Sequence, residues 1–509
     1  MKIAVGRTAA AAGRSRKRLW VLSGLLLVCL AVCLALLENY YSDRWFLDAE
    51  KKQIAVVEAA GIAATLEAYK AKYPSSERGR EGVAEVVRIF SAMRAEPKDL
   101  VSKKPSRMAD GNVPFSGPEW VKRYLGSNDY TTESLIVCSD INSTPIEALL
   151  TLHEKCRIEE LGWTYASFAE QSVYFKQGFH ARQVTRVLLP TAVWLAVADS
   201  DTTRAYTLLL NWMYLPEFFK VATTSMMEGM IGVALDGICF DVCSKLMSSV
   251  PVPSEEIAAR LYDQLDPQRA RKNLLRTCEA EVIWTAQTIK CRIGLEKTGG
   301  YRLKNFNRHF DEELSKQLEE KFATFRKDLS GLRLPSTFPG PADLFSKNES
   351  YVRRTLCGVI LSSLEWLPLN YSTVNSDSLP ALLSRCERIQ EWRDKKSAGN
   401  PVANVALPGY NRAMMNERGR EAEAAVLQAE CMMQIARLRS NATSTMPRTL
   451  HELSERSGKP VPLDPLAAKP GDSIQYQPDE QTGTYKFTHN PSVYPHGGYP
   501  AMEFLGSWR

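Results

Sequence analysis

Residues 226–247 read MMEGMIGVALDGICFDVCSKLM, and apolar pairs recur in them every four positions: Met226-Met227, Met230-Ile231, Ala234-Leu235, Ile238-Cys239, Val242-Cys243 and Leu246-Met247. Four residues advance an α-helix by about 400°, so the apolar stripe drifts by about 40° per step around the helix. Such a helix has no single wet face and has to meet neighbours on several sides. Gly229, Gly232 and Gly237 admit close neighbours, and Asp236 and Asp241 argue against a membrane span. The stretch therefore reads as the centre of a helical bundle.

Upstream, Val184, Val187, Leu188, Ala192, Leu195 and Ala198 follow helical spacing as far as Asp199-Ser200-Asp201, with a kink expected at Pro190. A second helix carrying Ala205, Leu208, Leu209 and Trp212 completes a hairpin whose short loop caps it. Downstream, Ser254 caps a helix that places Ile257, Leu261 and Leu265 on one face. Helical patterns return at 267–294, 311–329, 351–367, 379–392 and 417–439, the last with Ala424, Leu427, Cys431, Ile435 and Leu438 on one face. Pro97, Pro105, Pro114 and Pro118 mark a loop-rich connection, and the stretch from Pro335 to Pro341 marks a boundary.

The chain has 509 residues and a net charge of +6, and that charge has a location. Lys2, Arg7, Arg14, Arg16, Lys17 and Arg18 precede the first acidic residue, Glu38, so positions beyond 37 carry 58 residues of each sign. A neutral body offers no phosphate-binding field, and nucleic acid is not an expected partner. Between the basic tail and Glu38, residues 19–37, LWVLSGLLLVCLAVCLALL, contain no charge and at 1.5 Å per residue span about 30 Å of hydrocarbon. The positive-inside rule places the N-terminus in the cytoplasm and residues 38–509 outside, with the lipid bilayer as a partner through 19–37. No Ala-x-Ala cleavage site follows Leu37, which favours an uncleaved anchor. The Ala-rich stretch Ala49–Lys72 reads as a stalk helix continuing from the membrane.

The tail changes character after Ser440, with prolines throughout and β-like runs at 473–477 and 484–488 joined by an Asp479–Gly483 turn. The order Pro447-x-x-Leu450-x-x-Leu453, Pro462-x-Asp464-Pro465, Ile474-x-Tyr476 and Tyr485-x-Phe487 resembles the C-terminal module of type II secretion pseudopilins. It is also similar to signal-anchored bacterial envelope proteins that carry such a module after a helical body, and residues 204–265 resemble that body. The resemblance implies a periplasmic location at the inner membrane and an envelope protein as partner. Physically, Pro447 starts a short helix whose Leu450 and Leu453 dock on the hairpin. Pro462 and Pro465 force an extended crossing, and Asp464 accepts backbone N–H bonds in the turn. Two departures stand out: Ala467-Ala468-Lys469-Pro470 replaces the glycine turn after Asp-Pro, and THNPSVYPHGGYP contains no acid, so no calcium site carries over.

The chemistry that can be read from motifs is sparse. No Gly-x-Gly-x-x-Gly, Gly-x-x-x-x-Gly-Lys, Gly-x-Ser-x-Gly or His-Glu-x-x-His occurs. Asp199 and Asp201 form the Asp-x-Asp arrangement with which a membrane-anchored glycosyltransferase holds a divalent metal and a nucleotide diphosphate. The competing reading makes them a helix cap, in keeping with the helical periodicity that precedes them. Cys239 and Cys243 lie in the apolar stripe and read as buried thiols. If any pair is bridged, it is Cys138 with Cys156. His489, Tyr494, His496, Tyr499 and Trp508 form an aromatic cluster suited to a glycan or a protein partner.

The expected fold is mainly α, with an N-terminal membrane helix, a multi-helix outer body and a small C-terminal α+β module carrying a β-hairpin. The boundaries are 1–18 basic tail, 19–37 anchor, 38–95 stalk, 96–334 helical body, 335–445 second helical part and 446–509 C-terminal module. The expected function is a structural or protein-interaction role in the envelope, without cofactor; the alternative is the metal-dependent glycosyltransferase.

Overall fold

The computed structural model describes residues 44–94, 132–152, 168–221, 226–292, 349–399, 411–440, 445–489 and 503–508. These residues are mainly helical, with a small antiparallel sheet. The helices are α1 (44–59), α2 (Leu66–Lys72), α3 (Glu77–Ala92), α4 (Thr132–Ile141), α5 (Ser143–Leu150), α6 (Phe168–Ala198), α7 (Thr202–Trp212) and α8 (Tyr214–Val221). They continue as α9 (Met226–Ser249), α10 (Glu255–Gln264), α11 (Pro267–Arg292), α12 (Glu349–Val374), α13 (Leu379–Gly399), α14 (Asn411–Arg439) and α15 (Leu450–Ser457). The strands are β1 (Gln475–Asp479), β2 (Thr484–Thr488) and β3 (Glu503–Ser507). The membrane helix expected at 19–37 and the charged helix expected at 311–329 lie outside the described residues. Among the described residues no helix is long and apolar enough to cross a membrane.

The chain divides into two compact units. The smaller contains α1, the end of α11 from Ile289, α12 as far as Leu364 and the end of α13 from Lys396. Phe46 and Val57 bury one side of α1, and the buried carboxylate of Glu50 pairs with Lys290 at 2.7 Å. The larger unit holds the remaining described elements and a core that runs from α3 to the C-terminal sheet.

At the centre of that core lies α9. No residue from 229 to 247 is exposed, and α6, α7, α8, α14 and β3 all pack on the helix. The drifting apolar stripe therefore has the surroundings it calls for. Close packing needs glycine at Gly232, where a Cβ would fall 2.6 Å from the Pro216 carbonyl oxygen of α8. A carbonyl inside a helix cannot yield as a side chain does. The hairpin beside α9 consists of α6 and α7, and α6 stays helical through Pro190. Trp212, fully buried in α7, donates its indole N–H to Thr185 Oγ1 of α6 at 3.0 Å.

Two expectations need correction. The stalk is not one helix over Ala49–Lys72: α1 ends at 59, Gly61 adopts φ 75°, and Ile62, Ala63 and Ala64 are buried before Thr65 caps α2. The Ala-rich composition suited a helix throughout, but burying Ile62–Ala64 takes a turn, and glycine supplies it at little steric cost. The C-terminal module is also more than a hairpin. β1 and β2 pair with Tyr476 opposite Phe487, and β2 pairs in turn with β3, placing Phe487 opposite Phe504 and Tyr485 opposite Gly506. Strand β3 has only five residues, Glu-Phe-Leu-Gly-Ser, too short and too glycine-broken to announce itself.

Replacing Gly232 with alanine forces α8 and α9 apart. Gly232→Ala is expected to destabilise the full chain by about 1–3 kcal/mol, the usual range for an overpacked core. A fall in the urea midpoint at unchanged m-value checks it.

Candidate functional site

The acidic turn between α6 and α7 is built by backbone geometry. Ser200 takes a left-handed conformation (φ 63°), with Ser200 N bonded to Val197 O and Asp201 N to Ala196 O at 2.9 and 2.8 Å. Asp201 is the N-cap of α7, its Oδ1 accepting from Arg204 N at 2.9 Å. Asp199 and Asp201 share a surface cleft of about 200 Å³ with Ser139, Asp140 and Arg204. Arg204 brings a cation to the same cleft and pairs with Glu147. Among the described residues no group of three or more His, Cys, Asp or Glu is placed to hold a metal ion. The carboxylate of Asp201 already serves α7 through its bond from Arg204 N.

Among the described residues, a cluster of charges is buried between α8, α9 and α14. Lys220 of α8, 1% exposed, donates from Nζ to Asp236 Oδ2 of α9 and to Glu417 Oε1 of α14, the latter at 2.7 Å. Burial alone would depress the ammonium, but the two carboxylates outweigh it and hold Lys220 above its ordinary value. Burial also pushes Asp236 above the usual carboxylate range, against the pull of Lys220. Around this pair, Arg271 and Arg418 both bind Glu421, Arg269 binds Glu217, and Arg418 donates to the carbonyls of Val374 and Ser376. The space beside Lys220, Asp236, Glu417 and Glu421 is about 20 Å³, enough for a single water molecule and far below substrate size.

A second buried carboxylate ties residues 60–73 to α11. Glu279 Oε1 accepts from Ala63 N at 3.0 Å, from Lys72 Nζ at 2.6 Å and from the Tyr371 hydroxyl. Beside it Arg276 donates to Tyr69 OH at 3.0 Å and lies 4.5 Å above the Tyr73 ring.

A third holds the C-terminal module. Glu430 Oε1 of α14 accepts from Tyr485 OH of β2 at 2.9 Å and from Gln434 Nε2 at 2.5 Å. Its Oε2 is buried without a hydrogen-bond partner among the described residues. Burial pushes Glu430 up to about 8, which matches a carboxyl carrying its proton. Gly506 makes the reach possible, because a Cβ there would sit 2.3 Å from the Tyr485 ring. The remaining motif residues shape the module. Thr449 caps α15 and Glu452 reaches back to Arg448 N at 2.7 Å, so the helix starts at Leu450, three residues after Pro447. Leu453 is buried, and the Pro447 carbonyl accepts from Tyr476 OH. Pro462 and Pro465 are buried, and Asp464 Oδ1 accepts from Leu466 N at 2.8 Å.

Cys239 and Cys243 are buried free thiols raised by burial, Cys243 to about 12. Cys138 is a free thiol whose Sγ is buried 3.7 Å from Arg94 O; the partner named for it in any bridge, Cys156, lies outside the described residues. The expected aromatic cluster is only partly described: His489 is buried and Trp508 packs on the core, while Tyr494, His496 and Tyr499 lie outside the described residues. Lys220, Glu279, Glu417 and Glu430 escaped the sequence reading because their partners lie up to 216 residues away. Comparison with protein-family models, with curated proteins and with solved structures finds no match.

Because the folded-state pKa of Glu430 lies above its ordinary 4.5, near 8, folding favours its protonated form. That contribution is complete below about pH 4.5 and disappears as the pH rises through about 8. Glu430→Gln, a neutral mimic, is expected to be close to wild type in stability at pH 5 and more stable than wild type at pH 9. Urea unfolding at both pH values checks it, and an equal difference at the two would refute the assignment.

Proposed function

We propose that the chain is a single-pass inner-membrane protein, anchored by residues 19–37, with its basic N-terminus in the cytoplasm and residues 38–509 in the periplasm. On this reading the helical body and the C-terminal module serve a structural or protein-interaction role in the cell envelope. The observation that carries the proposal is the joint presence of an uncharged 19–37 run behind six basic residues and a body whose buried charges bind one another. Lys220, Asp236 and Glu417 close on each other around a space of about 20 Å³, which suits a rigid scaffold better than a turnover site. The way the C-terminal module docks through Tyr485 on Glu430 also fits a folding unit rather than a ligand loop.

The glycosyltransferase reading keeps one supporting observation, the cleft of about 200 Å³ shared by Asp140, Asp199 and Asp201. The capping bond of Asp201 and the cation of Arg204 in the same cleft weigh against it.

Alkaline carbonate washing is expected to leave the full chain in the membrane pellet and to release a form lacking residues 19–37. Alkaline phosphatase, active only outside the cytoplasm, is expected to be active when fused after Arg509. An inactive fusion would reverse the topology. Calorimetric titration of manganese with a nucleotide sugar is expected to give no binding; saturable binding lost in Asp201→Ala would establish the transferase instead.

A further inference from the structure

Helix α1 carries exposed apolar side chains that no described residue covers. Trp45 is 66% exposed, Val56 61% and Leu47 45%, while Phe46, Glu50 and Val57 face inward. Lys52 and Val56 follow Trp45 by seven and eleven residues, which at 100° per residue puts them about 20° to either side of it on the wheel, an arc of about 40°. Arg44 and Lys51 are also exposed, with Asp48 the one exposed acid of the helix. The face is therefore a short apolar stripe with Lys52 on it, Asp48 about 60° to one side, and Arg44 and Lys51 about 100° and 120° round on that same side. Exposed tryptophan on a helix flanked by lysine is the composition of a segment lying in the polar interface of a bilayer.

Chain length sets where this face can be. Only six residues, Glu38-Asn39-Tyr40-Tyr41-Ser42-Asp43, separate Leu37 from Arg44, a reach of at most about 25 Å when fully extended. Those six include two tyrosines, which also favour the interface. Once 19–37 spans the hydrocarbon, α1 starts at or near the headgroups, before the chain has room to carry its exposed stripe elsewhere.

Resting on the anchored reading above, we infer that the Trp45–Lys52–Val56 face of α1 docks on the outer surface of the membrane, with tryptophan and valine among the upper acyl carbons and Arg44, Lys51 and Lys52 on anionic phospholipid headgroups. The unit that contains α1 is then held against the bilayer. This fits the break at Gly61 that ends α1, because a helix lying along the surface has to turn before the chain continues.

The test uses the full chain reconstituted in vesicles of brominated phosphatidylcholine with phosphatidylglycerol, reading the tryptophan fluorescence quenched by bromine. Trp20 lies within 19–37 and reports on the anchor; Trp45 reports on the docked face. Trp20→Phe and Trp45→Phe are each expected to remove part of the quenched component. Lys51→Gln with Lys52→Gln is expected to reduce the Trp45 share in these vesicles and not in vesicles without phosphatidylglycerol. Trp45 is exposed, so Trp45→Phe leaves the buried side of α1 untouched. If Trp20→Phe removes quenching and Trp45→Phe does not, the docking inference is overturned and the anchor stands; an occupant other than lipid, such as a protein, would produce that result. If Trp20→Phe removes none, the anchored reading fails and the inference with it. A Trp45 share indifferent to the lysine changes overturns the anionic headgroups.

Discussion

The ammonium of Lys220 dictates how the helical body is assembled. A lone charge at 1% exposure would be prohibitive, so α8 can enter the core only where two carboxylates meet it. Asp236 comes from α9, sixteen residues on, and Glu417 from α14, 197 residues on. Satisfying Lys220 therefore sets the relative positions of three helices at once. The neighbouring pairs Arg271–Glu421, Arg418–Glu421 and Arg269–Glu217 extend the same constraint to α11 and to the end of α12. Such a network adds less net stability than its number of bonds suggests, because each charge gave up water to join it. Its stronger effect is selective: other helix registers strand a charge in the core.

The attachments at either end repeat the device with one carboxylate each. Glu279 gathers a backbone N–H, a lysine and a tyrosine hydroxyl, and so fastens the segment around Ala63 and Lys72 to α11. Glu430 does the same for the C-terminal sheet without a cation, relying on Tyr485 and Gln434 and on keeping its own proton. The difference follows from surroundings. Lys72 reaches Glu279 from the surface with its side chain 35% exposed, whereas Glu430 lies beneath a sheet whose inward residues are aromatic.

Much of the architecture could be read from local pattern. The four-residue recurrence in 226–247 implied a helix surrounded on several sides, and no residue of α9 from 229 to 247 is exposed. Ser254 and Asp201 are N-caps because a short side-chain oxygen in extended or bridging backbone is positioned to take the first free amide of a helix. The Asp479–Gly483 turn closes a hairpin because Gly483 accepts a left-handed conformation. What failed was equally local. An Ala-rich run cannot signal that three of its residues will be buried in a turn, and a five-residue strand held by its register to β2 has no pattern of its own.

The sequence alone determined the helical class, the positions of most helices, the caps and the hairpin, since each depends on side chains within about a turn of one another. It also confined the excess positive charge to the first eighteen residues, leaving the remainder neutral. Only the tertiary structure decided which charges meet. Lys220, Glu279 and Glu430 look like any other polar residues on helices, and their roles depend on partners brought near by packing. Long-range pairing leaves no spacing rule in a single chain, so the buried carboxylates that hold the body together were invisible until the helices were in place.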